Sequence, residues 1–417
     1  MSLTRRQVLS LTAQPVVPLL HQATSRKLFV LSVDGLDHRY LRDVDRLGLH
    51  IPTLRRLMKE GSWADGVVGE LPTVTWPLHT TMVTGVAPRD HGIVSNRRPP
   101  AEGGDYYWEL DLCKVPTLWH KAREAGLKTG AITWPVTVTP IIDHDLPEYL
   151  RRRRGGAMDL RSIASRATPG LIERISKSYP SFPQEWMDDR TRVLAAMYLL
   201  REERPDFLAV HLVDLDSEQH DNGPFSREAC AVLEYTDELI ARLLDHLPPG
   251  YAVAVVSDHG FLPVRRVVNL RVAMRLRKAS GAIRLTAGLA VAEDDAGAEF
   301  LDRMAADPLA ALGRRVPASE IARFAPELKH CKAAYEPADG VMFGQATSGE
   351  VEVLLDSRGE HGFWPGRPDY RAAFILWGKG VKPGRWPEMS LRQHAGLFAE
   401  VLGIAFPTAP SDSRALR

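Results

Sequence analysis

At 417 residues, with 44% hydrophobic and 25% charged content, the chain has the composition of a water-soluble globular protein that can bury an extensive core. Its 53 basic and 52 acidic residues nearly cancel, which removes the electrostatic case for a nucleic-acid polymer or an anionic membrane as partner. Cys113, Cys230 and Cys331 are widely spaced and form no C-x-x-C pair, which argues against a disulfide framework and a thiolate zinc site, and no apolar run approaches the ~18 residues of a membrane span.

In chain order, residues 1–26 carry Arg5-Arg6 ahead of a modestly apolar stretch interrupted by Pro15 and Pro18. This reads either as a twin-arginine-type signal with a periplasmic or extracellular destination, or as a frayed basic N-terminus of a cytoplasmic protein. Leu28 to Val33 is the first strand; Ile51 to Gly61 and Thr117 to Gly126 read as amphipathic helices ending on glycine, the second leading into a strand over Lys128 to Trp134. Arg190 to Glu203 is helical, Asp206 to Val213 a strand, Ser226 to Leu247 a long helix stopped by Pro248-Pro249, and Val253 to Val256 another strand.

Beyond Phe261 the alternation fails. Residues 262–350 are rich in Ala and Arg, with a helical segment over Ala298 to Ala311, and are expected to form an inserted cap. The core is expected to resume at Val351 to Leu355 and Ala372 to Trp377 and to close with a helix over Leu391 to Leu402. The fold class is therefore α/β: a mostly parallel central sheet with helices on both faces, built from 27–261 and 351–417 around the cap.

Several strands end on carboxylates: Asp34 in LFVLSVDG, Asp214 and Asp216 in FLAVHLVDLD, and Asp258 in AVAVVSDHG. In open α/β sheets the crevice beyond the carboxyl ends of parallel strands is where ligands bind. Carboxylates gathered there repel one another unless cations hold them. Asp216 and His220 share one face if DLDSEQH turns helically, and carboxylate with neutral imidazole suits zinc or manganese better than calcium. In PTVTWPLHTTMVTG (72–85), Pro77 reads as the first helical residue, which puts Thr75 just before a helix N-terminus where an anion is favoured. Its hydroxyl would need a metal to become a nucleophile.

Taken together, VDG (33–35), PTVTWPLHTTMVTGVAPRDHGIVSN (72–96), DLDSEQHDNGP (214–224), SDHGF (257–261) and GEHGF (359–363) resemble the alkaline phosphatase superfamily, specifically its type I phosphodiesterase / nucleotide pyrophosphatase branch. The resemblance covers Lys27 to Phe261 and Gly359 to about Pro407 and implies an alkaline-phosphatase-like fold. It also implies two divalent metal ions, most simply Zn2+: one on Asp216, His220 and His361, the other on Asp34, Asp258, His259 and the Thr75 oxygen. Thr75 would form a phospho-threonine intermediate, with Asn96 binding a phosphoryl oxygen and a small phosphodiester or pyrophosphate as substrate. Two such ions balance three aspartates and a Thr75 alkoxide, so the site would be nearly neutral and suited to a singly charged diester. Within the same superfamily, phosphonoacetate hydrolysis or phosphomonoesterase activity is the alternative; a binding module on an inactive phosphatase scaffold is the non-enzymatic one.

Other residues divide between a role and a bland account. Asp214 is either an outer partner of the metal site or a solvated carboxylate. His79 and His91 read as scaffold histidines, and His330 with Cys331 lacks a third ligand. Trp134 either lines the substrate pocket or packs in the core, and Tyr106, in Tyr106-Tyr107-Trp108, either stacks on a flat substrate group or belongs to a surface aromatic cluster. Arginines elsewhere in the chain, such as Arg89, could still fold into the site.

Overall fold

The computed structural model describes residues 27–183, 185–307 and 311–406; Arg5-Arg6, and with it the export signal, lies outside these residues. Eight strands form one sheet: β1 (Lys27–Val33), β2 (Ser62–Ala64), β3 (Thr129–Ile132), β4 (His144–Leu146), β5 (Phe207–Leu212), β6 (Tyr251–Val256), β7 (Phe374–Gly378) and β8 (Gly384–Trp386), in the order β8-β2-β7-β6-β1-β5-β3-β4. All neighbouring pairs are parallel except those β7 makes with β6 and β2. The mostly parallel α/β sheet expected from the sequence is therefore present.

The central strands are apolar almost end to end because both faces are covered. Leu28 and Val30 of β1 pack with Leu78 and Met82 of the helix Thr75–Thr84 and with Leu397 and Phe398 of the helix Gln393–Leu402. Phe29 and Leu31 point to the other face, against Leu54, Val193, Leu233 and Leu243 from the helices Pro52–Glu60, Asp189–Tyr198 and Arg227–Asp245. Period-two alternation of one strand thus feeds two cores. At roughly 25 cal/mol per Å2 of apolar surface, each such side chain contributes about 1.5–3 kcal/mol relative to exposure.

Strand register sets the height of the crevice. Ser32 pairs with Val256, and Val33 with Leu212, so β1, β5 and β6 end level and release Asp34, Val213-Asp214 and Ser257-Asp258 at one edge. A one-residue slip would turn each carboxylate to the other face.

The segment after Phe261 folds as a ribbon and a small second sheet. Leu262–Val268 pairs with Val341–Phe343 on one side and antiparallel with Glu352–Glu360 on the other. Between them lies a four-stranded sheet, in the order Ile283–Thr286, Leu289–Ala292, Ala333–Pro337, Leu312–Arg315, with its own core around Phe300, Leu301, Met304 and Tyr335. The helix expected at Ala298 to Ala311 runs over Asp295–Ala305. Val351 to Leu355 does not rejoin the central sheet as expected. It belongs to the ribbon strand, where Val353 and Leu354 are exposed, and the next central strand is β7.

One buried carboxyl is a liability. Asp145 on β4 is buried, which pushes its pKa well above the usual carboxylate range, the Thr137 hydroxyl pulling the other way. A native carboxyl with a raised pKa is destabilising once the unfolded chain ionises, so its cost is absent below pH ~4 and grows as pH rises. Asp145→Asn is expected to raise the melting temperature at pH 7 and to lose that advantage as the pH falls below ~4, as followed by calorimetry across pH; equal melting temperatures at pH 7 would contradict the assignment.

Candidate active site

Asp34 leaves β1 into Gly35, which adopts φ +68°. A Cβ there would lie 2.9 Å from the Phe261 ring, so the turn that aims Asp34 inward requires glycine at 35. Asp258 leaves β6 beside it, its Oδ1 accepting from the Gly35 N–H at 3.3 Å. Asp216 and His220 lie on the helix Asp214–Asn222, and their Oδ1 and Nε2 are 3.5 Å apart, as the four-residue spacing predicts.

His361 directly follows the ribbon strand Glu352–Glu360. Because Leu262 pairs with Glu360, the ribbon returns the chain to the point it left, and the His259 and His361 rings stack with centroids 3.9 Å apart. Two groups with metal-ligand spacing result: Asp216, His220 and His361, and Asp34, Asp216 and His259. Asp258 completes the second, with Oδ2 3.1 Å from His259 Nε2.

The histidines are oriented by carbonyl oxygens. His220 Nδ1 donates to Gly359 O (3.2 Å), His259 Nδ1 to Gly260 O (3.3 Å) and His361 Nδ1 to Thr73 O (3.2 Å). A carbonyl only accepts, so each Nδ1 carries a proton and Nε2 is the ring nitrogen left to face the crevice. Asp34 Oδ1, Asp216 Oδ1, Asp258 Oδ2 and His259 Nε2 are buried there without a hydrogen-bond partner in the protein. Buried polar atoms are otherwise almost always satisfied, so this convergent set fits divalent cations.

The electrostatics agree. Burial, then Asp258 and Asp216, push the Asp34 pKa well above normal, while burial and His361 hold His259 well below. Burial depresses His220, but Glu360 and Asp216 outweigh it and carry it up to about 8.

Thr75 is the first residue of the helix Thr75–Thr84, two residues earlier than the sequence suggested, and Pro77 sits within the first turn. The Trp76 N–H donates to Asn96 Oδ1 at 3.0 Å, which brings Asn96 beside Thr75 and leaves its amide NH2 as a donor. Tyr106 packs on Trp76 and Trp108, at centroid distances of 4.7 and 4.9 Å, with Arg97 over its outer face.

Trp134 is corrected to the core. It is fully buried and packs on Trp119 and His79, where no substrate reaches it. His79 is committed at both nitrogens, donating to Thr75 O and accepting from Ser32, and burial lowers it to about 3. His91 is held by Thr81 and the Ile93 N–H. Asp214 turns toward Asp189 and Arg192 rather than into the crevice, and Arg89 is half exposed beside Asp90.

His211 and Glu148 were not singled out by the sequence reading. His211 Nε2 lies 3.1 Å from Asp34 Oδ2, and its Nδ1 lies 2.9 Å from Glu148 Oε2 and 3.0 Å from Thr133 O. Burial opposes a charge on His211, but Glu148 and Asp34 raise its pKa well above the ordinary value. The strand pattern FLAVHL, with one histidine among apolar residues, was the available signal.

A family model for type I phosphodiesterase / nucleotide pyrophosphatase matches residues 28–353. The chain belongs to this family, a branch of the alkaline phosphatase superfamily. Human ectonucleotide pyrophosphatase/phosphodiesterase family member 1 is 26% identical over 259 residues, 59% of this chain and 24% of that protein. Human family member 7 is 25% identical over 268 residues, with 59% and 50% covered. Venom phosphodiesterase 2 of Crotalus adamanteus is 25% identical over 245 residues, with 56% and 26% covered. The chain thus spans half or less of the length of these relatives. Murine ectonucleotide pyrophosphatase/phosphodiesterase 5, solved as an inactive variant in complex with AMP, aligns with a TM-score of 0.61 at 20% identity over 93% of this chain and 97% of that one. The human form gives the same score at 18% identity, so the nucleotide pyrophosphatase/phosphodiesterase fold is shared.

Partners of metal-ligating groups typically govern metal affinity by about 10–100-fold. His211→Gln is therefore expected to weaken metal retention at Asp34 by that order while leaving the fold intact, as measured by competition with a chelator; unchanged retention would reduce His211 to a packing residue.

Proposed function

We propose that the chain hydrolyses phosphodiester or phosphoanhydride bonds of small, nucleotide-like substrates through a phospho-threonine on Thr75, with two divalent ions, most simply zinc. The observation that carries this reading is the convergence of unpartnered Asp34, Asp216, Asp258 and His259 atoms beside a threonine at a helix start.

Asp216, His220 and His361 would hold one ion, and Asp34, Asp258, His259 and the Thr75 oxygen the other. When bound, such ions supply Lewis-acid activation of a hydroxyl and neutralise charge on the entering and departing oxygens.

The chain's own groups do the remainder. Thr75 Oγ bonds to phosphorus as the bond to the leaving oxygen breaks, and that oxygen takes up a proton. The N-terminal end of the helix favours the phosphoryl negative charge. Its Trp76 N–H is taken by Asn96, and Pro77 has none, so the Asn96 NH2 is the side-chain donor for a phosphoryl oxygen. Attack by water then releases the phosphomonoester and restores the Thr75 hydroxyl. A base would stack on Tyr106 by taking the place of the Arg97 guanidinium over its outer face. Arg89 faces Asp90 outside the crevice, which favours a singly charged diester over a dianionic monoester.

On zinc-loaded protein, kcat/KM for an aryl nucleotide diester is expected to exceed that for an aryl phosphate monoester, with no phosphate released from phosphonoacetate; an inverted ratio would select one of the alternative hydrolases. Thr75→Ala is expected to lower kcat by at least about a thousandfold with both metals retained. Near wild-type turnover would remove Thr75 as nucleophile. His361→Ala should release one equivalent of metal before the other, as counted by elemental analysis.

A further inference from the structure

A cavity of about 320 Å3 adjoins His361, and none of Trp76, Tyr106 and Trp108 lines it. Its wall is apolar: Val74, Leu285, Leu289, Met342, Phe343 and Phe363. Thr286 and Gln345 add uncharged polar groups, and among the described residues His361 is the one titratable group lining it, with no lysine or arginine. The volume suits a single aryl or short alkyl group, at the lower end of small-molecule sites.

The cap builds this cavity with a tight hairpin. Thr286 pairs with Leu289 across a two-residue turn, Ala287 and Gly288, at φ 54° and 73°. Two left-handed residues are what a type I′ turn requires, and its twist keeps the hairpin narrow. A Cβ on residue 288 would lie 3.0 Å from Gly362 O, so the tip packs against the residue after His361.

A diester has two arms, and the structure offers two different surfaces on either side of Thr75. Trp76, Asn96 and Tyr106 flank one side, and none of them lines the cavity. Val74 and His361 flank the other. In an in-line displacement the entering and leaving oxygens are opposed. With Thr75 assigned to the Asp34, Asp258 and His259 group, the leaving oxygen falls on the Asp216, His220 and His361 side, where the cavity opens.

We infer that this cavity receives the leaving alcohol of the substrate, and that this alcohol is apolar and uncharged rather than a phosphate or pyrophosphate. The inference rests on the phosphodiesterase reading and narrows it to esters. A buried anion without a cationic partner is costly, and the wall supplies none, whereas an aryl group is desolvated at a gain.

The test uses the zinc-loaded 417-residue chain with two leaving groups, the p-nitrophenyl ester of thymidine 5′-phosphate and ATP, which releases pyrophosphate. Thr286→Trp fills the cavity from the hairpin, and Gln345→Trp does so from an exposed position on the opposite wall. Each is expected to lower kcat/KM for the aryl ester by at least about tenfold while altering that for ATP less than twofold. A parallel loss for both substrates, or no loss, overturns the inference. Binding of 1-naphthol to Thr75→Ala protein, followed by calorimetry, provides a readout without turnover: it is expected to be retained in that variant and abolished when Thr286→Trp is added. Equal binding in both overturns the cavity assignment. Naphthol binding by a wild-type chain that cleaves no diester instead overturns the catalytic reading and upholds the cavity.

Discussion

Three carboxylates at one sheet edge are the constraint around which this molecule is arranged. Asp34, Asp216 and Asp258 are all buried, and two unit charges 4 Å apart repel by about 4 kcal/mol at an effective dielectric of 20. The protein's own cations meet only part of this charge. His259 is held neutral, His220, which burial depresses, is carried up to about 8 by Glu360 and Asp216, and the charge on His211 is divided between Asp34 and Glu148. The parallel strands pay for this geometry with apolar burial on both faces, and the compensating charge is left for cations to bring.

The supports of the site extend well behind it. Thr133 and Val136 are β-branched residues at φ 47° and 59°, a conformation that costs of order 1–3 kcal/mol each. Thr133 uses that conformation: its carbonyl faces His211 Nδ1, and its hydroxyl donates to the His211 carbonyl and accepts from Arg192 Nε. Strain in the loop after β3 is thus exchanged for a fixed imidazole behind Asp34. The link runs from a local backbone conformation, through hydrogen bonding, to the orientation of a carboxylate in a candidate metal cluster.

What could be read from the sequence was what ends a strand. Asp34 directly follows an apolar run and Asp258 follows one after a single serine, Asp216 and His220 share a helical spacing, and the structure brings them together with His259 and His361. His211 was hidden because it lies inside such a run, where its neighbours Val210 and Leu212 announce only a buried strand. Glu148 sits in irregular chain with no period to mark it. Trp134 was drawn toward substrate by its place after a strand; the left-handed Thr133 ahead of it reverses the chain and turns the indole into the core, a turn that a β-branched residue does not advertise. Val351 to Leu355 was expected to resume the core and instead joins the ribbon, because pairing partners are set by the long-range return of the chain and a short apolar run carries no record of them.

The ribbon has a further consequence. Residues Leu262 and Glu360 are paired at its base, with His259 three residues before one and His361 directly after the other. The excursion between them behaves as a loop closed by its own stem, and a cation held by His361 together with Asp216 and His220, which precede the excursion, would act as a clasp across that closure. Lengthening such a closed loop costs little, since each doubling of length adds only about 0.6 kcal/mol of closure entropy. The stem therefore separates two rates of change: the insertion is free to be rebuilt residue by residue, while the chemistry at its foot stays in register.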